Sequence, residues 1–197
     1  MSYPLLEVAR LLLLEGDTAT ANEARKKAVS IAYYAVFSEM CSIIANAFSD
    51  PENSPGLTNF LNYQRAFRVL DHNKLVAIAR RVAGRAKEKP TKARGLKAKQ
   101  PSFSDLDVDG LGAFADDKTL ITFIEQREIW ATNCIALQEA RHSADYDPFF
   151  MTSLPDAEFR ISQAEETLHA LARIGELGRK QLAFDLVFPI PKQSSTS

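Results

Sequence analysis

The chain has 197 residues, 46% of them hydrophobic, and a formal net charge of −1. One globular domain with a real core suits that length and composition, and the near-zero total charge implies no global attraction to nucleic acid or to membranes. Cys41 and Cys134 both sit in apolar helical runs, a pattern of reduced core thiols in a cytosolic protein rather than of a disulfide framework.

The first predicted helix covers about Pro4 to Glu15, with Leu5, Val8, Leu12 and Glu15 along it and Gly16 at its end. Its Leu11–Leu14 run is far too short to span a bilayer, and no cationic signal sequence with a cleavage site accompanies it. Asp17, Thr18, Thr20 or Asn22 can cap the next helix. That helix runs from Glu23 to Phe48 without Gly or Pro, and from Ala28 on it is apolar on nearly every side. A helix hydrophobic all round must be enclosed by other helices, so it is the expected central rod of a bundle. Ser30, Tyr33 and Tyr34 lie inside it, and their hydroxyls need partners when buried.

Ser49–Gly56 reads as a loop. A third helix starts near Thr58 and either continues, or restarts after Asp71, to about Ala86. Lys87 to about Asp116, rich in Pro and Gly, reads as a long insertion loop. A fourth helix covers about Lys118 to Ala144, with Phe123, Trp130, Cys134 and Leu137 as its buried stripe and Arg127 and Arg141 on the same face. A final helix runs from Pro155 or Asp156 to about Phe184, with Gly175 in its stripe of small residues. The expected fold is all-α, an up-and-down helical bundle around the long central helix. Residues 1–186 are expected to form one domain with a charged insertion at about 87–117, and 187–197 a tail.

Charge is segregated along the chain. Residues 80–99 carry nine Lys/Arg against the single Glu88, a local net of +8, which leaves −9 for the rest. Lys92, Arg94, Lys97 and Lys99 in this run could track a nucleic-acid backbone; without interleaved aromatics the run offers no base stacking. The alternative is a solvated loop offset by the five aspartates between Asp105 and Asp117. Asp105, Asp107, Asp109 and Asp116 also match parts of an EF-hand calcium loop. Gly112 stands in place of its usual aliphatic residue and no proper incoming helix precedes it, so an acidic turn is the better reading. No metal or cofactor is expected.

Two groups of residues can carry chemistry. On one helix, Arg65 and Arg68 would share a face with His72. A histidine exchanges protons near neutral pH and an arginine holds a phosphate, the two functions needed to cleave RNA without metal. The plainer reading is a helix-end histidine with two solvated arginines. Arg141 and Asp145 stand four apart, so on a helix they face each other, with Tyr146 next and Pro148 closing the run. Arg141 with His142 can be a phosphate and acid/base pair; Arg141 with Asp145 can instead be a structural pair tied to Tyr33 and Tyr34.

The two segments AVSIAYYAVF, with Ser30, Ala32, Tyr33, Tyr34, Ala35 and Phe37, and ARHSADYD, with Arg141, Ala144, Asp145 and Tyr146, resemble the HEPN superfamily of small all-α proteins. The lone histidine between them, His72, is a further match, and the resemblance covers residues 20–150. It implies a HEPN-like bundle and a homodimer in which polar residues of two chains meet in a cleft. It also implies action on RNA, as a metal-independent endoribonuclease of toxin or defence type with a cognate antitoxin. Active members use an arginine and a histidine with four to six residues between them, which points to Arg65 and His72 with six between; Arg68, Arg141 and His142 are the alternatives. The superfamily also contains inactive modules that bind a nucleotide or a protein partner, and that reading stands beside the first.

Overall fold

The computed structural model describes residues 3–14, 20–49, 63–87 and 117–188. Among them run α1 (Pro4–Leu13), α2 (Ala21–Phe48), α3 (His72–Lys87), α4 (Asp117–Tyr146), α5 (Leu154–Arg173) and α6 (Gly175–Val187). Residues 63–67 add a short helical turn before α3. No strand occurs among the described residues, and the architecture is an all-α helical bundle, as the sequence predicts. Lys92, Arg94, Lys97, Lys99, Asp105, Asp107, Asp109 and Asp116 lie outside the described residues, as do 189–197.

α2 is the centre of the bundle because its neighbours enclose it: α1, α4, α5 and α6 all pack on it. Ala28 and Ala32 are buried where helices meet, and Val36, Met40 and Ile44 fill the space further along. By length and hydropathy alone α2 is apolar enough to cross a bilayer, but 67% of its most apolar window is buried inside the bundle. Its hydrophobicity is therefore met by other helices. Burial pushes the Cys41 thiol up to about 11 and the Cys134 thiol up to about 12, so both stay protonated and unreactive at neutral pH.

Two helix boundaries differ from the sequence reading, and one of the two courses left open for the third helix is the one taken. The third helix does not run through: Arg68 and Val69 close i→i+3 turns on Arg65 and Ala66, and the chain restarts at His72. Asp71 caps the restart, its Oδ1 accepting the Lys74 amide at 2.8 Å. The final helix is broken at Gly175, whose φ of +75° is a left-handed conformation that glycine adopts without steric cost. Close packing falls instead to Gly178, where a Cβ would lie 2.8 Å from Phe123 Cδ2. α4 extends through Tyr146, so Arg141 and Asp145 share its last turns.

The connection from α4 to α5 is fixed by hydrogen bonds. Asp147 Oδ1 accepts the Phe149 amide at 2.9 Å, turning the chain at Pro148. Asn22 of α2 holds the loop from below: its Oδ1 accepts the Thr152 amide at 3.1 Å and its Nδ2 donates to the Phe150 carbonyl at 3.4 Å. Ser153 then caps α5 by accepting the Asp156 amide at 3.2 Å.

Candidate functional site

Ser30, Tyr33, Tyr34 and Phe37 fall at i, i+3, i+4 and i+7 of α2, which puts them on one helix face. The last turns of α4 bring Arg141, Asp145 and Tyr146 over that face, and α3 contributes His72, its first residue. Ser30 Oγ donates to Asp145 Oδ1. Arg141 Nε lies 2.7 Å from Asp145 Oδ2, close enough for an ion pair, although its N–H makes no well-aligned hydrogen bond. Arg141 Nη2 donates to Tyr34 Oη at 2.7 Å and to Tyr146 Oη at 3.3 Å. The guanidinium also lies over both rings at cation–π distance, 5.3 Å from the Tyr34 centroid and 5.1 Å from that of Tyr146.

Only 11% of the Arg141 side chain is exposed, against 25% for Asp145. Desolvation works against the charge of Arg141, but the bond to Tyr34, the Asp145 carboxylate and the bond to Tyr146 outweigh it and hold its pKa above the usual range. Among the described residues, Nη1 is the guanidinium nitrogen left without a partner. The arrangement is an arginine locked in orientation with two N–H donors still to offer.

His72 stands against the same aromatic floor. Its Nδ1 lies 2.8 Å from Tyr33 Oη, and its ring packs 4.2 Å from that of Phe37 and edge-on to Tyr34 at 5.8 Å. Tyr33 is fully buried, and burial raises its phenol pKa far above neutrality, so it remains a neutral hydroxyl. That hydroxyl either donates to Nδ1 or accepts from Nδ1–H, according to the tautomer. Burial lowers the pKa of His72, the nearby Arg141 cation lowers it further, and Asp71 opposes both without reversing them. His72 is therefore a neutral imidazole at pH 7. With Nδ1–H donating to Tyr33, Nε2 presents a lone pair that can take a proton.

Arg65, Arg68 and His72 do not share one helix face, because the helix ends before Arg68 and a new one starts at His72. Both arginines are exposed, and the hydrogen bond of His72 goes to α2 instead. The cation whose field acts on His72 is Arg141, 69 positions away in sequence. His142 is exposed and meets the Tyr146 ring at 5.1 Å. The sequence reading named Ser30 as a hydroxyl in need of a partner but did not assign it to Asp145. It gave a restart after Asp71 as one course for the helix but did not name Asp71 as its cap or as a charge acting on His72.

A groove of about 350 Å³ opens between α4 and α5, lined in part by Ala140, Phe150 and Phe159; neither His72 nor Arg141 lines it. No cluster of three or more His, Cys, Asp or Glu suited to a metal occurs among the described residues. Comparison with family models, with curated proteins and with solved structures found no match.

Proposed function

We propose that this chain is a HEPN-like protein that acts on RNA, with His72 and Arg141 as a metal-independent phosphoryl-transfer pair. The observation that carries the reading is their convergence on Tyr34: Arg141 is over its ring and bonded to its hydroxyl, and His72 is against its edge. In this mechanism His72 Nε2 takes the proton of a ribose 2′-hydroxyl. The 2′-oxygen attacks the adjacent phosphorus, and the bond to the 5′-oxygen breaks. That oxygen takes up a proton from water, and a 2′,3′-cyclic phosphate remains. Arg141 Nη1 stabilises the charge gathering on the non-bridging oxygens. Asp145, Ser30 and Tyr34 hold the guanidinium in place, and Tyr33 holds the imidazole. A cytosolic homodimer with a shared cleft, a cognate antitoxin, and backbone contacts from the basic run after Lys87 belong to the same proposal.

Substitution kinetics test it. His72→Ala abolishes turnover and leaves RNA affinity nearly intact, because a proton-transfer group adds little ground-state binding. Arg141→Ala weakens both, because a phosphate clamp acts in ground and transition states. Turnover that survives His72→Ala would overturn the assignment.

A second reading has its own support. Arg141 is an ion-paired, doubly bonded side chain at a helix end, and such a pair can be purely structural. On that reading the chain is an inactive module that binds a nucleotide or a protein partner, and neither substitution alters any RNA chemistry.

A further inference from the structure

Tyr146 is an aromatic side chain that is both exposed and fixed. Its residue keeps 63% of its surface open. Yet Arg141 sits 5.1 Å from its ring centroid, its hydroxyl accepts from Arg141 Nη2 at 3.3 Å, and the His142 ring lies 5.1 Å away at 49°. The turn after it is fixed by Asp147 and held from below by Asn22. A large ring held in place loses little conformational entropy when a flat partner stacks on it.

The charge balance beside it points to the kind of partner. Asp145 neutralises Arg141, so a phosphate approaching Nη1 gains two directed hydrogen bonds but little net Coulomb attraction. Affinity at this spot then draws on the ring as well as on the two hydrogen bonds from Nη1. We infer that Tyr146, with His142 beside it, is a stacking subsite for an unpaired nucleobase whose phosphate reaches Arg141. The inference rests on the RNA reading above and narrows its substrate to single-stranded nucleotides. A paired base cannot use the subsite, because its faces are already covered by neighbours in the duplex.

The test uses the full chain and a short 2′-O-methyl oligoadenylate, which has no free 2′-hydroxyl to attack and so reports binding alone. Its partner probe is the same backbone with abasic sites. Fluorescence anisotropy should show the base-bearing probe bound roughly ten-fold more tightly than the abasic one. Tyr146→Leu should remove most of that preference. Tyr146→Phe should keep it, since the ring remains when the bond to Arg141 is lost. Phe159→Ala, at an equally open aromatic (59%) on α5, should leave it unchanged. Equal affinity for the two probes overturns the subsite, as does a preference that survives Tyr146→Leu. An equal loss in Tyr146→Phe or in Phe159→Ala also overturns it, because the effect would then belong to the hydroxyl or to exposed aromatics in general. RNA cleaved through His72 without base preference removes the subsite and leaves the nuclease reading. A Tyr146-dependent preference without any cleavage does the reverse; failure to bind either probe removes the subsite, and with no RNA cleaved it removes the nuclease reading as well.

Discussion

Tyr33 and Tyr34 are neighbours in sequence and serve different partners. Tyr33, fully buried, shares its hydroxyl with His72 Nδ1 at 2.8 Å, and Tyr34 receives Arg141 Nη2 at 2.7 Å. Tyr33→Phe should cost about 1 kcal/mol, and Tyr34→Phe about 1–3 kcal/mol because it strands a donor of a mostly buried guanidinium. Urea unfolding reads both; two variants as stable as the parent would refute the hydrogen-bond assignments. His72 makes a further prediction. Its folded pKa lies below the ordinary 6.5, because burial disfavours the imidazolium and Arg141 repels it. The linked stability is fully present above pH 6.5 and is lost as pH falls from there through the folded value. Nuclear magnetic resonance titration of the imidazole should find a midpoint below 6.5 that moves upward in Arg141→Gln. A midpoint unmoved by that change would separate the two residues. The Arg141–Asp145 pairing was legible in the sequence, because i,i+4 spacing on one helix fixes it locally. The meeting of His72 with Tyr33 was not, because it depends on how α3 is set against α2, and no local spacing encodes that.

Helices announce themselves by what they exclude. α2 was legible because it lacks Gly and Pro and is apolar on nearly every side, and the end of α4 because Pro148 follows it. The restart at His72 was left open in the sequence, since Phe67, Val69 and Leu70 continue an apolar pattern while the cap signal is the single residue Asp71. The break at Gly175 was hidden, because glycine fits a close-packed stripe as readily as a left-handed turn. Substitution at three glycines tests these placements. Gly178→Ala puts a methyl group 2.2 Å from Ile174 Cγ2 and 2.8 Å from Phe123 Cδ2. Overpacking of about 1–3 kcal/mol should exceed the gain of about 1 kcal/mol in helix propensity, so the melting temperature falls. Gly175→Ala should also destabilise, since a left-handed backbone costs a side chain about 1–2 kcal/mol. Gly84→Ala, with open space around its Cβ, should stabilise α3 by about 0.5–1 kcal/mol. A melting temperature that rises in Gly178→Ala would contradict the close approach of α6 to Phe123.

At the scale of the whole molecule, the bundle brings three distant pieces of chain to one face of α2: residues 30–37, His72, and 141–146. The net charge of −1 conceals the +8 of residues 80–99, so the total says little about a polyanionic partner. The central claim is that this assembled face cuts RNA through a 2′-hydroxyl without a metal. The most direct measurement incubates the purified chain with single-stranded RNA in EDTA and identifies the new ends, with His72→Ala beside it. The account predicts cleavage that EDTA leaves intact, 2′,3′-cyclic phosphate ends, no product from His72→Ala, and resistance where the cut site carries 2′-deoxyribose. Cleavage abolished by EDTA, equal cleavage of the deoxy substrate, or no cleavage at all would contradict it.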